Sequence, residues 1–267
     1  MNLPGRLVLL GHPVGHSLSP RFQNAALQTA GIPLRYEAVD VPPANLANVL
    51  AELAKVGAAG NVTVPHKSAV FSACARHTPI ASRTGAVNTF WHEDGALVGD
   101  NTDVAGFRSL AARVLGAVPV GARIALLGAG GAAAAVCAAV ETWPDVRVNV
   151  HSRTANRTEE LAKRFPFIRV TRSVEECLAD ATIVVNSTPI GLTGDAMPAP
   201  AELLPRDAAV MDLAYRPGQT PWIRAALADG HRAADGLEML IAQGAEAFER
   251  WFGRSPDRDV MRRAVEA

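Results

Sequence analysis

A glycine-rich turn between a short apolar run and an alanine-rich stretch constrains the fold of this chain most strongly. The run Arg123–Leu127 reads as a buried strand, the turn is Gly128–Ala132 (GAGGA), and a helix follows to about Val140. In a strand–turn–helix segment of this kind, the backbone of the turn can approach a pyrophosphate that binds at the start of the helix. The alternative, an ordinary glycine turn before a helix, is less favoured because a strand precedes and a helix follows. The pattern predicts a nucleotide-binding domain. In the turn of Gly128, Ala129, Gly130, Gly131 and Ala132, the first glycine permits the tight bend, and the next two let the backbone approach the pyrophosphate.

The residues after the next predicted strand, Val146–Val150, indicate which dinucleotide binds. An enzyme that uses NAD usually has an acid here for the ribose 2′-hydroxyl. This chain instead has Ser152, Arg153, Thr154 and, at helical spacing, Arg157. Guanidinium groups pair with a 2′-phosphate, so the sequence predicts NADP rather than NAD. A solvated helix face is the alternative for both arginines; it stays open for Arg157, whereas Arg153 lies at the strand end.

Short apolar runs alternate with helical stretches along all 267 residues, which predicts an α/β architecture with parallel sheets, as two modest domains or one large one. The character changes near Asp100, before the glycine motif. The predicted strands are 6–10, 35–41, 58–64, 123–127, 146–150, 168–170, 182–186 and 209–213, with a hairpin of 87–90 and 96–98. Predicted helices include 44–55, 104–115 and a C-terminal pattern from Leu237 onward.

The bulk composition excludes several classes of protein. Acidic and basic residues balance at 26 each, so no nucleic-acid partner is expected. Three dispersed cysteines argue against a disulfide framework and fit a reducing cytoplasm. Leu7–Leu10 is too short an apolar run for a signal peptide, and no span of membrane length lacks charges, so we expect a cytoplasmic protein without a membrane partner.

The heptapeptide Asn61–Lys67 (NVTVPHK) places a lysine just after a predicted strand that Pro65 stops. Lysine is scarce: only Lys55, Lys67 and Lys163 occur, and arginine supplies the other basic side chains. A lysine at a strand end in such a chain suggests an amine that can release a proton, which arginine cannot do. A surface cation beside a helix start is the equally weighted alternative.

Further polar clusters follow predicted strands. Four polar residues in a row, 100–103, exceed what one helix cap needs, although Asp103 or a neighbour could cap the next helix. Ser19, before Pro20, reads as the N-cap of the first helix, which leaves Ser17 as the better functional candidate. His12 and His16 have the spacing of metal ligands on a helix, but intervening proline and glycine forbid that helix, so we expect no metal.

Together these segments resemble the shikimate dehydrogenase family across essentially the whole chain. The resemblance rests on the order and spacing of GHPVGHSLSP, NVTVPHK, GAVNT, GDNTD, GAGGA, SRTANR, STPIG, DLAY and ADGLEMLIAQGA. It implies NADPH-dependent, reversible reduction of 3-dehydroshikimate to shikimate, a step of aromatic amino-acid biosynthesis. It also implies a catalytic domain of residues 1–101 and 238–267, and a Rossmann-type NADP-binding domain of residues 102–237. The C-terminal helices would thus return to the catalytic domain, and the protein would be a monomer or a homodimer.

The resemblance also assigns roles to individual residues. Lys67 and Asp103 would be the acid–base pair: the lysine would stabilise and protonate the oxygen, and Asp103 would hold the ammonium. A purely positional ion pair is the alternative. The substrate would be bound by Ser17, Ser19, Thr63, Lys67, Asn88, Asp103, Tyr215 and Gln243. Cofactor contacts would add Thr188, Leu213 and Gly236 to the glycine turn and to Ser152, Arg153, Thr154 and Arg157.

Two departures from the family pattern stand on the cofactor side. The family commonly has asparagine where Ser152 stands and frequently methionine at Leu213, and neither change touches the chemistry. The nearest alternative is a quinate/shikimate dehydrogenase with mixed NAD and NADP use, against which the arginines count. A catalytically silent dinucleotide sensor is a second alternative, and the retention of Lys67 and Asp103 argues against it. A scaffold component that needs a partner chain is a third, for which the sequence offers no partner motif.

Overall fold

The computed structural model describes residues 3–266, and the chain divides into two compact units. One unit is Met1–Ala105 with Leu240–Ala267, and the other is Gly106–Met239. Each unit contains one sheet of six strands with its own buried core. The predicted fold class, an N-terminal α/β domain, a Rossmann-type domain and C-terminal helices that return to the first, is confirmed.

The first unit is a mixed sheet with helices in its connections. Its strands lie in the order β2-β1-β3-β5-β6-β4; β5 runs antiparallel to β3 and to β6, and the other pairs are parallel. The elements are β1 Leu7–Gly11, α1 Ser19–Thr29, β2 Tyr36–Asp40, α2 Leu46–Lys55, β3 Ala59–Val62, α3 Lys67–Ala73, β4 Arg76–His77, α4 Pro79–Thr84, β5 Thr89–Glu93 and β6 Ala96–Asp100. Helix α5, Asp103–Leu115, begins in this unit and continues into the second.

Burial patterns explain why these segments form these elements. β1 (LVLLG) is buried at all five positions, as expected of an interior strand covered on both faces. In α2 the buried residues Leu46, Leu50 and Leu53 recur every three or four positions and form one apolar stripe. Because two reversals of direction separate β3 from β6, these strands run the same way, and both end at the same edge of the sheet. Lys67 and Asp103 follow the two strands at this edge.

The second unit is a parallel sheet in the order β12-β11-β10-β7-β8-β9. Its second helix in chain order, α6, is buried from Ala133 to Val140, and its small side chains allow close packing against the sheet. The elements are β7 Arg123–Leu127, α6 Gly131–Val140, β8 Arg147–His151, α7 Ala155–Arg164, β9 Ile168–Val170, α8 Val174–Leu178, β10 Ile183–Asn186, β11 Ala209–Asp212, α9 Pro221–Ala228 and β12 Ala233–Ala234.

The chain ends in two helices, α10 Leu237–Phe252 and α11 Arg258–Glu266. α11 packs against α1, and the indole N–H of Trp251 in α10 donates to the carbonyl of Phe90 at 3.2 Å. The C-terminal segment therefore completes the first unit and brings Gln243 into it. No helix within residues 3–266 has both the length and the apolar character needed to cross a membrane.

The predicted elements are present, and most of their bounds shift by one to three residues. The strand predicted at 58–64 ends at Val62, and the helix predicted at 44–55 begins as a 3-10 turn, Pro43–Asn45, before α2. The predicted hairpin forms from β5 and β6, which turn through Asp94 and Gly95 at positive φ. The sequence analysis gave only a possible helix start at Lys67 for α3 and did not assign α4 or β4, because these elements are too brief to show a period.

Candidate active site

Lys67 and Asp103 form an ion pair at the shared edge of β3 and β6. Lys67 is the first residue of α3 and Asp103 is the first residue of α5, so each follows a strand that ends there. Lys67 Nζ lies 2.5 Å from Asp103 Oδ2, and their side chains are only 16% and 8% exposed. An ion pair this shielded from water holds both groups in a defined position. The structure thus joins two residues that are 36 positions apart.

The second carboxylate oxygen of Asp103 is held by Asn88. Asn88 Nδ2 donates to Asp103 Oδ1 at 2.8 Å and to Thr102 Oγ1 at 3.0 Å, while its Oδ1 accepts from the backbone N–H of Thr102 at 2.7 Å. Gln243 Oε1 lies 3.4 Å from the same Nδ2. Four predicted site residues of the first unit, Lys67, Asn88, Asp103 and Gln243, are therefore contiguous.

Asn101 bonds the first residue of α5. Its Oδ1 accepts from the backbone N–H of Asp103 at 3.2 Å, and its Nδ2 donates to Thr84 Oγ1 and to the carbonyl of Ala86. Asp103 is itself the first residue of the helix, so it does not hold the N-cap position that precedes one. The Asp103 carboxylate is left to bond Lys67 and Asn88.

The expectation that Ser19 caps α1 is wrong. The chain already has helical backbone angles at Leu18, so Ser19 is the first residue of the helix and makes no capping bond. Instead, Ser17 Oγ accepts from the backbone N–H of Ser19 at 3.2 Å, so Ser17 is the hydroxyl that serves the helix start. The reason for preferring Ser17 over Ser19 as a functional residue therefore fails. Thr63 directly follows β3 and is partly buried, four positions before Lys67.

Tyr215 belongs to the second unit, where it is partly buried in the segment after β11. The other predicted substrate residues belong to the first unit. Two buried thiols offer no alternative nucleophile, because burial raises the pKa of Cys74 and of Cys177 to about 11. Within residues 3–266 there is no cluster of three or more side chains suited to hold a metal ion.

The glycine turn leads directly from β7 into α6. Gly128 has φ +110°, where a side chain would be strained, and an added Cβ would lie 2.5 Å from Ser187 Oγ. Gly130 is the N-cap of α6 and supplies no side-chain hydrogen bond; Gly131 and Ala132 begin the helix, and Ala129 lies between the two flanking glycines. A Cβ at Gly130 would meet no atom within 4 Å. The first turn of α6 is thus uncapped and open.

The residues after β8 present positive charge beside this turn. Gly128 N donates to the carbonyl of His151, the last residue of β8, at 2.8 Å, which ties the two loops together. Ser152 Oγ accepts from the backbone N–H of Thr154, the N-cap of α7. Arg153 and Arg157 are exposed, and neither forms a salt bridge within the part of the chain that the structure describes. Their guanidinium groups are therefore available to an anion.

A third set of predicted cofactor residues follows β10 and β11. Thr188 donates to Asn186 Oδ1 through both its N–H, at 2.9 Å, and its hydroxyl, at 2.7 Å. Leu213 N donates to the carbonyl of Asn186 at 2.8 Å. Gly236 lies so close to the Leu213 backbone that an added Cβ would be 2.3 Å from its carbonyl oxygen. All three lie at the carboxyl ends of parallel strands, where ligands bind in open α/β sheets.

Asp212, the last residue of β11, is fully buried and bonds these loops. It accepts from Asn186 Nδ2 at 2.7 Å, from Thr220 Oγ1 at 2.7 Å and from the backbone N–H of Ala214 at 3.0 Å. Burial raises the pKa of Asp212 from 3.8 to about 6, an effect that its three hydrogen bonds oppose and nearby Asp235 reinforces. Burial also raises the pKa of Asp235.

The second unit thus fits a phosphorylated dinucleotide on its own geometry. An uncapped helix start under open space suits a pyrophosphate, whose negative charge the helix dipole and the free N–H groups favour. Two unpaired arginines after β8 suit a further phosphate.

Comparisons with known proteins agree with this geometry. Residues 9–90 match the shikimate dehydrogenase substrate binding domain, and residues 236–266 match the shikimate 5'-dehydrogenase C-terminal domain. A curated shikimate dehydrogenase (NADP(+)) from Mesorhizobium japonicum is 41% identical over 263 residues, which span 96% of this chain and 93% of that protein. The chain belongs to the shikimate dehydrogenase family.

Two solved shikimate dehydrogenases share its fold. The Aquifex aeolicus enzyme superposes with a TM-score of 0.91 at 34% identity, covering 100% of both chains. The Thermus thermophilus shikimate 5-dehydrogenase, solved in complex with NADP(H) and shikimate, gives a TM-score of 0.86 at 40% identity and covers 97% of this chain and 98% of that one.

Sequence reasoning assigned no role to several polar residues that lie beside the predicted site residues of each unit. They are Asn61, Thr89, Thr102, Asn186 and Asp212, all buried. Each is a polar residue inside or directly beside an apolar run, and that signal was available in the sequence. The partner of each depends on strand register, which could not be read from the sequence.

Proposed function

We propose that this protein catalyses the reversible, NADP(H)-dependent reduction of 3-dehydroshikimate to shikimate. The observation that carries the proposal is the shielded pair of Lys67 and Asp103, with the Asp103 carboxylate also fixed by Asn88. Family membership and relatives named NADP(+)-dependent support the reaction and the cofactor. The first unit would bind the substrate and the second unit the dinucleotide. Three free cysteines fit a reducing cytoplasm.

NADPH, held by the second unit, would supply a hydride for the ketone carbon, and negative charge would then develop on the ketone oxygen. Lys67, as an ammonium, would stabilise that oxygen and donate its proton to it, and in the reverse direction the amine would take the proton back. Asp103 would hold the ammonium in place. Asn88 and Gln243 would offer amide donors and acceptors to the ring hydroxyls, as would the hydroxyls of Ser17, Ser19, Thr63 and Tyr215.

On the cofactor side, the turn Gly128–Ala132 would receive the pyrophosphate. Arg153, Arg157, Ser152 and Thr154 would surround the 2′-phosphate, and the exposure of both arginines supports this role. Thr188, Leu213 and Gly236 would lie toward the ribose and the nicotinamide.

The test is the rate of NADP+ reduction with shikimate, followed by nicotinamide absorbance, for wild type and three lysine variants. Lys67→Arg keeps a cation beside Asp103 but cannot release a proton. Lys67→Ala removes the cation, and Lys55→Ala is the matched control, since Lys55 is an exposed lysine paired with Glu52. Loss of turnover in both Lys67 variants, with Lys55→Ala active, would support proton transfer by Lys67. An active Lys67→Arg would leave Lys67 a positional role only.

The same assay separates the alternatives. Equal efficiency with NAD+ or with quinate would place the chain among quinate/shikimate dehydrogenases. The stretch after β8 argues against this, because it has Arg153 and no acidic residue. Tight NADPH binding without turnover on any substrate would indicate a silent sensor.

A further inference from the structure

We propose that Thr89, oriented by Asn61, is a positioning residue for the acid–base pair, acting through the amide of Asn88. The proposal rests on the proposed function, because Lys67 and Asp103 are its endpoint. Thr89 and Asn61 are register partners on the antiparallel strands β5 and β3, so the sheet itself brings them together.

The orientation of the Asn88 amide is decided by its neighbours. The backbone N–H of Thr102 can only donate, so the atom that it meets at 2.7 Å must be Asn88 Oδ1. The nitrogen of the amide therefore faces Asp103 Oδ1. A reversed amide would set its nitrogen against that N–H and its oxygen against the carboxylate, and both contacts would be repulsive.

Asn61 is oriented by the same logic. Its Nδ2 donates to the backbone carbonyl of Asn88 at 3.1 Å, and its Oδ1 accepts from the Tyr36 hydroxyl at 2.8 Å. The same Nδ2 lies 2.9 Å from Thr89 Oγ1, so the Thr89 oxygen is an acceptor there. The single proton of the Thr89 hydroxyl is then free to be donated, and Asn88 Oδ1 lies 3.0 Å away.

These bonds form a chain with one direction. Each group donates to the next, from Tyr36 through Asn61, Thr89 and Asn88 to Asp103, and Lys67 donates to Asp103 from the other side. As whole residues, Asn61, Asn88, Thr89 and Asp103 are each at most 5% exposed, so bulk solvent does not reach the Thr89 hydroxyl. Thr102 Oγ1, 3.0 Å from Thr89 Oγ1, is the alternative acceptor, and it too contacts Asn88.

If Thr89 only linked β3 to β5, the same hydrogen bonds would form. A stably folded Thr89 variant would then keep the catalytic activity of the wild type. Two pairs of variants isolate the hydroxyl: wild type against Thr89→Val, and Thr89→Ser against Thr89→Ala. The second pair lacks the methyl group in both members, so it remains informative if valine prevents folding. Thr171→Val is the control, because Thr171 is a buried threonine in the other unit whose hydroxyl donates to the carbonyl of Val150.

We expect Thr89→Val and Thr89→Ala to lower kcat/KM for shikimate about tenfold while KM for NADP+ changes less than twofold. Thr89→Ser should stay within about threefold of wild type, and Thr171→Val within twofold. In an Asn88→Ala background, Thr89→Val should add less than a twofold further loss, because both changes interrupt one chain.

Two results from the single variants would overturn the inference while the proposed function stands: Thr89→Val with undiminished kcat/KM, or Thr89→Ser as impaired as Thr89→Ala. Additive losses in the Asn88→Ala background would overturn it as well. A wild-type protein without turnover on shikimate would overturn the proposed function, and this inference with it.

Discussion

The buried carboxylate of Asp212 should make the stability of this protein fall as the pH rises from 4 to 6. Its pKa is raised from 3.8 to about 6 by burial, so the folded protein keeps the proton over a range in which the unfolded chain has lost it. Where the folded state binds more protons than the unfolded state, the free energy of unfolding decreases with pH. A pKa difference of about two between the folded and unfolded states corresponds to roughly 3 kcal/mol of unfolding free energy. All of it is lost once the pH is above the raised pKa.

Asp212→Asn is the perturbation that isolates this contribution. The amide keeps the shape, and its oxygen can still accept from Asn186 and Ala214. The Thr220 hydroxyl, now a donor to Asp212, can rotate to accept from the new amide nitrogen. All other titrating groups are common to the two proteins, so their pH dependence cancels in the difference.

The assay is urea unfolding of both proteins at about pH 4.5 and pH 7.5. Between these values wild type should lose about 2 kcal/mol relative to Asp212→Asn, whatever the offset between the two proteins at either pH. A stability difference that stays constant within about 0.5 kcal/mol would refute the reasoning, because Asp212 would then titrate alike in both states.

Three further predictions concern residues of the predicted cofactor site. Arg153→Ala should raise KM for NADP+ at least about tenfold and change KM for NAD+ less than twofold in steady-state kinetics, since only NADP+ carries the 2′-phosphate; equal changes would contradict the assignment. Gly130→Ala should leave the melting temperature unchanged, because its Cβ meets nothing within 4 Å, yet weaken NADP+ binding in titration calorimetry; undiminished affinity would contradict a pyrophosphate there. Gly236→Ala should lower the melting temperature by several degrees, because its Cβ would lie 2.3 Å from the Leu213 carbonyl oxygen; an unchanged value would mean that the backbone yields freely.

Much of the fold was predictable because its signals are local. The strand 123–127, the glycine turn and the helix behind it coincide with their predicted positions, since a buried parallel strand and a small-residue helix both leave continuous apolar patterns. Short elements were missed because α4 and β4 complete too few periods to be recognised. The cap of α1 was misplaced because Ser17 and Ser19 are equally good capping residue types, and backbone angles at Leu18 decide between them.

The same distinction between local and non-local information applies to the candidate site. That Lys67 and Asp103 each follow a strand could be inferred from sequence, and the family resemblance paired them. Their contact depends on β3 and β6 running in the same direction, which the antiparallel β5 between them ensures.

The supporting residues show what sequence patterns leave undetermined. Asn61 and Thr89 are buried polar residues of strands in the first unit, and Asn186 and Asp212 end strands in the second. Burying an unbonded polar group costs about 1–3 kcal/mol. A polar residue in a buried strand must therefore have a partner, and the carboxyl end of a strand is where that partner helps to shape a ligand site. The existence of such partners follows from the sequence. Their identity does not, since a shift of one residue in register between β3 and β5 would turn Thr89 to the opposite face of the sheet and away from Asn61.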